Sequence, residues 1–128
     1  MGNIQSINKI HFEDLTKLIN GNPNSYVLIN TLPDNEQSCL ILNTVNAKNE
    51  VTLMNDLLRQ DKTIHIIVYG RNYADITIHK KYNQLKNLGF KNISVYFGGM
   101  FEWLLLQEVY GEANFQTNNH ENDILKYK

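Results

Sequence analysis

The sequence predicts an α/β domain, a mostly parallel central sheet with helices on both faces. Three observations lead there. Short β-branched runs alternate along the chain with segments whose apolar residues recur at helical spacing. Ile64–Tyr69 is apolar at almost every position, which suits a strand covered on both sides. Glycines (Gly21, Gly89, Gly111) stand where three of the helical patterns run out, as natural stops.

Taken in order, Ile7–Ile10 is a short strand candidate and Phe12–Asn20 a helix, with Phe12, Leu15, Leu18 and Ile19 on one face. Asn22–Ser25 is a turn cluster, and Tyr26–Asn30 reads as a buried strand. Pro33–Ser38 is polar loop, and Leu40–Leu42 adds a short strand or extended piece. Asn46 and Asn49 are both suitable caps for a helix from Lys48 to Gln60, with Val51, Met54, Leu57 and Leu58 as its inner face. After Ile64–Tyr69, Gly70–Ala74 forms a loop, and Asp75 caps a helix over Ile76–Leu88. Ile93–Phe97 is the next strand. Gly98-Gly99 then turns the chain into a last helix, Met100–Tyr110. Residues 1–116 make one domain, and the polar residues 117–128 are expected to be a tail, disordered or docked on a partner. In such sheets ligands bind beyond the carboxyl ends of the strands, here Asn30–Asp34, Gly70–Asp75 and Gly98-Gly99.

Composition narrows the function classes. The chain has 128 residues, enough for one domain with its own core. Its net charge of -1, with basic and acidic residues interleaved, makes no broad cationic face for nucleic acid or an anionic membrane. No apolar signal core is visible in Met1–Ile10, and the longest apolar runs are too short to span a bilayer. Cys39 is the only cysteine, which excludes a disulfide within the chain and fits a cytoplasmic protein.

Three segments in the second half carry a family resemblance. Ile66-Ile67-Val68-Tyr69 ends in a short loop that opens a helix. Leu85-Lys86-Asn87-Leu88-Gly89-Phe90-Lys91-Asn92-Ile93 joins a helix end to the next strand. Gly98-Gly99-Met100-Phe101-Glu102-Trp103 places a double glycine before a tryptophan at the start of the last helix. In this order and spacing they resemble the rhodanese-like domain family. The first half fits more loosely: Asn30 stands where the family has an aspartate, Leu32 where an arginine is common, and Asn43–Asn46 near a histidine, glycine and asparagine segment. The resemblance implies a three-layer rhodanese-like fold and a binding loop at Gly70, Arg71, Asn72, Tyr73, Ala74 and Asp75.

An active member of that family carries sulfane sulfur on a cysteine at the first loop position. The thiolate and the anionic donor are held by inward-pointing N–H groups ahead of a helix. By the resemblance that position is Gly70, which has no side chain to form a persulfide. Asp75 would put negative charge at the mouth of the cradle, Tyr73 would fill it, and Arg71 alone keeps a positive charge. The expectation is a non-catalytic binding or assembly module with no catalytic residue, cofactor or metal, working with a protein partner. Inactive domains of this kind occur in cellular proteins and in large DNA viruses, so a virion component is a second possible setting. The alternative function is an enzyme or small-anion binder using the Gly70–Asp75 loop, or a sulfurtransferase with Cys39 as a displaced sulfur carrier.

Against that alternative, no positive group or helix N-terminus is evident beside Cys39, so an unreactive, part-buried thiol is the plainer reading. His65 is read as a packed strand residue and His79 as a surface one. His11 and His120 are isolated, and no pair has zinc-ligand spacing. Glu13-Asp14 suit a helix start, while Asp34 and Glu36 are read as solvated loop carboxylates. Gly98-Gly99 lacks the Lys-Ser/Thr ending of a phosphate loop and is read as a tight turn. The last helix is richer in apolar residues than one buried stripe needs. They are either all core, or Phe101, Trp103, Tyr110 and the following Phe115 form a partner surface.

Overall fold

The computed structural model describes residues 7–128, so the signal-segment expectation lies, for Met1–Ser6, outside the described residues. Five parallel strands form one sheet: β1 (Lys9–Ile10), β2 (Tyr26–Asn30), β3 (Thr44–Val45), β4 (His65–Tyr69) and β5 (Ile93–Tyr96), in the order β1-β5-β4-β2-β3. Helices α1 (Phe12–Ile19) and α4 (Gly99–Tyr110) cover one face, and α2 (Ala47–Gln60) and α3 (Thr77–Leu88) the other.

The two-residue period of the strands divides the core. Leu28, Ile67, Tyr69 and Tyr96 pack with Leu15, Met100, Trp103 and Leu104. Their neighbours Ile29, Ile66, Val68 and Val95 pack with Met54, Leu57, Ile78 and Leu85. Helix ends are set locally. Of the two candidate caps, Asn46 takes the part, its Oδ1 accepting from Lys48 N at 3.1 Å. Gly89 ends α3 at φ 108°, which lets the N–H of Phe90 reach the Leu85 carbonyl at 3.2 Å.

Three expectations need correction. Of the two readings of Leu40–Leu42 the strand fails and the extended piece holds: Ile41 makes one isolated antiparallel bridge to Thr117, and the edge strand lies at Thr44–Val45. Asn43, at φ 71°, turns the chain between the two. The buried Tyr69 hydroxyl accepts from Ile41 N at 3.1 Å and sits 2.8 Å from Thr44 Oγ1, so the segment is fixed by a side chain rather than a ladder. In α2 the inner stripe runs through Leu53, Met54, Leu57 and Leu58, leaving Val51 70% exposed. The polar residues 117–128 do not leave the domain. Asn118 N donates to the Leu40 carbonyl at 3.0 Å, and Tyr127, on a terminal 3-10 turn (Ile124–Tyr127), is fully buried in the α1/α4 core.

His65 is a packed strand residue. Its Nε2 lies 2.7 Å from Ser94 Oγ, which also accepts from Asn8 Nδ2 at 2.6 Å. Burial pushes its pKa below the ordinary histidine value. The fold therefore favours the neutral ring. That contribution is complete above the unfolded value of about 6.5 and is lost as pH falls from there through the folded value. Urea midpoints should drop between about pH 7 and pH 5, and His65→Gln should flatten that slope. An unchanged slope in the variant would assign the pH dependence to other groups.

Candidate functional site

The carboxyl ends of β2 and β4 and the turn before α4 converge on Gly70–Ile76. Gly70 is buried at the end of β4, and a Cβ built there would stand 2.5 Å from Asp75 Oδ2 and 2.8 Å from Thr31 Oγ1. The missing side chain's space is thus taken by a carboxylate. Asp75 Oδ2 accepts from Arg71 N at 2.8 Å, and Oδ1 from Thr77 N at 2.9 Å. The Thr77 hydroxyl lies 2.6 Å from Asp75 Oδ1 and 2.7 Å from Thr31 Oγ1. Burial alone would raise the Asp75 pKa and is the largest single influence. The Thr77 hydroxyl, the N–H groups of Arg71 and Thr77 and the Arg71 charge together outweigh it and hold the group below its usual value. The loop encloses an anion of its own.

The other polar groups of the loop are also engaged. Ala74 N donates to Asn72 Oδ1 at 2.9 Å, and Asp75 N to the Asn72 carbonyl at 3.1 Å. Arg71 reaches Glu36 Oε2 at 2.6 Å, so Glu36 is an ion-pair partner rather than the solvated carboxylate expected. Asn72 Nδ2 donates to the Tyr127 carbonyl at 2.9 Å, and Arg71 Nη1 to that of Lys126 at 3.4 Å. The N-terminus of α4 holds the same loop, with Met100 N donating to the Gly70 carbonyl at 3.0 Å and Phe101 N to that of Arg71 at 2.9 Å. Gly99 permits this approach: its φ is 67°, and a Cβ there would lie 2.7 Å from the Gly70 oxygen.

The structure brings Gly70–Asp75 together as one loop but redistributes the roles. Tyr73 does not fill it; its side chain is 81% exposed, as Ile76 is at 79%. Asp75 turns inward, and Thr77 rather than Ile76 is the first residue of α3. Two open clefts flank the loop. One, of about 460 Å³, lies between α2 and α3 beside Thr31, Thr77, Lys80 and Lys81; the other, of about 440 Å³, runs over Thr31, Arg71, Asp75 and Ile76. In the first, Lys81 is paired with Glu50 at 2.5 Å.

Cys39 is buried, and its Sγ donates to the Asn119 carbonyl at 3.3 Å. Burial, followed by the negative charge of Glu121, raises its pKa above the normal thiol value. The partner surface expected on α4 shrinks to Tyr110. Trp103 and Phe115 are core residues, 5.1 Å apart edge to face, and Phe101 packs partly against them. A sequence pattern cannot show that the chain after Gly111 folds back over the helix. Reasoning from sequence also missed Gln37. Its Oε1 accepts from Asn30 Nδ2 and Ala47 N, both at 3.0 Å, tying the end of β2 to the start of α2. A loop glutamine carries no distinguishing sequence signal.

A five-stranded parallel sheet with helices on both faces and a polar loop between its fourth strand and third helix defines a three-layer α/β domain. The chain belongs to the rhodanese-like domain family, whose model matches residues 12–106. Its fold resembles that of the Alr3790 protein of Anabaena sp. at 16% identity and TM-score 0.61, over 91% of this chain and 86% of that one. The BH2092 protein of Bacillus halodurans is similar at 18% identity and TM-score 0.62, over 81% and 74%. A thiosulfate sulfurtransferase of Pseudomonas aeruginosa matches at 16% identity and TM-score 0.63, over 94% of this chain and 23% of that one. No sequence match is found among curated proteins.

The contact between position 70 and Asp75 is testable by a double-mutant cycle. Gly70→Ala should cost about 1–3 kcal/mol, the usual range for overpacking. Combined with Asp75→Ala it should cost less than the two single changes added, by more than about 0.5 kcal/mol. Additive costs in denaturant unfolding would mean that the carboxylate does not fill that space.

Proposed function

We propose that the chain is a non-catalytic rhodanese-like binding or assembly module, with Gly70 at the position where the family carries its sulfur-bearing cysteine. The observation that carries this reading is the Asp75 carboxylate lying over Gly70, in contact with the place a side chain would occupy. Sulfur transfer needs a thiolate and an anionic donor in the same cradle. A fixed negative charge there opposes both by like-charge repulsion. Arg71, the loop's only cation, is already neutralised by Glu36.

The enzymatic alternatives have less support. A displaced carrier at Cys39 would use a buried thiol whose environment disfavours the thiolate. A small-anion site in the loop would compete with Asp75 for the N–H groups of Arg71 and Thr77. Binding has a positive argument. Tyr73 and Ile76 stand exposed on the rim of a polar loop, and exposed aromatic and aliphatic side chains next to satisfied polar groups are the chemistry of a protein contact. We place the module in the cytoplasm, or in a virion assembled there, because of its single unpaired thiol.

Cyanide-dependent turnover of thiosulfate is the direct test. The wild-type chain should match buffer, and Gly70→Cys should gain little while Asp75 remains. Gly70→Cys with Asp75→Ser should exceed Gly70→Cys at least tenfold, because removing the charge favours both thiolate and donor. Robust turnover by the purified wild-type chain would sink the non-catalytic reading.

A further inference from the structure

The segment 117–128 is held to the domain in a distinctive way. Its first residues extend the 39–42 stretch: Thr117 bridges Ile41, Leu40 N donates to Asn118 Oδ1 at 2.9 Å, and the Cys39 thiol donates to the Asn119 carbonyl. Its last residues meet the loop, where Arg71 and Asn72 donate to the carbonyls of Lys126 and Tyr127. Between these ends Asn118, Asn119, His120, Asn122, Asp123 and Leu125 are exposed. The Lys126–Glu121 ion pair at 2.8 Å and the His120–Glu112 contact at 3.1 Å reach the surface and hold weakly.

Tyr127, fully buried, and Ile124, partly buried, anchor the far end, and that anchor is imperfect. The Tyr127 hydroxyl is buried with no hydrogen-bond partner among the described residues, and so is Glu36 Oε1 beside Arg71. A desolvated hydroxyl without a partner works against docking. Few buried contacts and much exposed backbone mark a unit that opens before the rest of a domain.

We propose that residues 117–128 form a strap that docks across Cys39 and the Arg71–Asn72 side of the loop and opens as a unit while the sheet stays folded. Docked, it covers the thiol and occupies the donors of Arg71 and Asn72. Open, it releases both, so a partner that grips the loop through those donors and the strap exclude each other. This last consequence rests on the reading of the loop as a protein-docking site; the opening itself does not.

The experiment uses the intact chain, with hydrogen exchange read by mass spectrometry and Cys39 labelling by a disulfide reagent under native conditions. Amides of 118–128 should exchange at least 100-fold faster than those of 66–69, yet slower than in a free peptide. Cys39 should be labelled at a rate that tracks strap opening. Tyr127→Ala should speed labelling tenfold or more with 66–69 still protected. Asn72→Ala, which removes the bond to the Tyr127 carbonyl together with the loop's own bond from Ala74 N, should give a smaller rise and serves if Tyr127→Ala does not fold. The proposal is overturned if the strap and Cys39 become accessible only together with the sheet. It is equally overturned if 118–128 exchange like a free peptide and Cys39 reacts like a free thiol. Neither result bears on sulfur transfer, so the non-catalytic reading stands or falls separately.

Discussion

The site depends on the contact between a carboxylate and a residue that has no side chain. Asp75 can turn into its own loop only because position 70 leaves room, and Gly70 is enclosed because Asp75 and Thr31 fill that room. The contact also ties three elements together. Asp75 receives the Arg71 N–H just after β4 and the Thr77 N–H at the start of α3, while Thr77 reaches Thr31 just beyond β2. From the other side, two N–H groups of α4 fix the loop's carbonyls. A loop bonded on both sides is rigid, and rigidity suits a surface that presents Tyr73 and Ile76 outward.

The electrostatics follow from the same contact. An inward-curved loop ahead of a helix concentrates N–H dipoles, a favourable place for an anion from solution. Here the anion is covalently part of the chain, and its effective concentration exceeds what a dissolved ligand reaches. Arg71 swings away to Glu36 and to the terminal segment, where its charge orders structure instead of attracting a ligand. The loop's N–H groups and its cation are thus spent on bonds within the chain itself.

What was legible in the sequence is what short-range physics controls. Tyr26–Asn30 falls on β2 without adjustment, and Ile64–Tyr69, read as covered on both sides, supplies β4 with residues buried in both core clusters. Gly89 is a helix stop for a local reason, its left-handed backbone. Errors arise where a distant segment decides. Leu40–Leu42 has strand-like composition, but its N–H groups go to Tyr69, Gln116 and Asn118, residues far along the chain. Trp103 and Phe115 are apolar in either setting, and only the return of the chain after Gly111 makes them core. The loop's position was legible from its neighbours; the inward turn of Asp75 was not, because it requires Thr31 and Thr77 to meet across the sheet.

The return of the chain answers a problem of small size. Both edge strands, β1 and β3, have two residues each, so the sheet offers α1 and α4 a narrow platform. With α1 only eight residues long, α1 and α4 alone leave parts of that face uncovered. Phe115 closes one gap against Phe12 and Trp103, and Tyr127 enters the same cluster from the far end. Burying an aromatic side chain contributes roughly 1.5–3 kcal/mol, a large share of a small domain's net stability. The terminal segment is therefore part of the core through its aromatic residues and part of the surface everywhere else. That division is what would let the proposed strap, residues 117–128, open without dissolving the sheet beneath it.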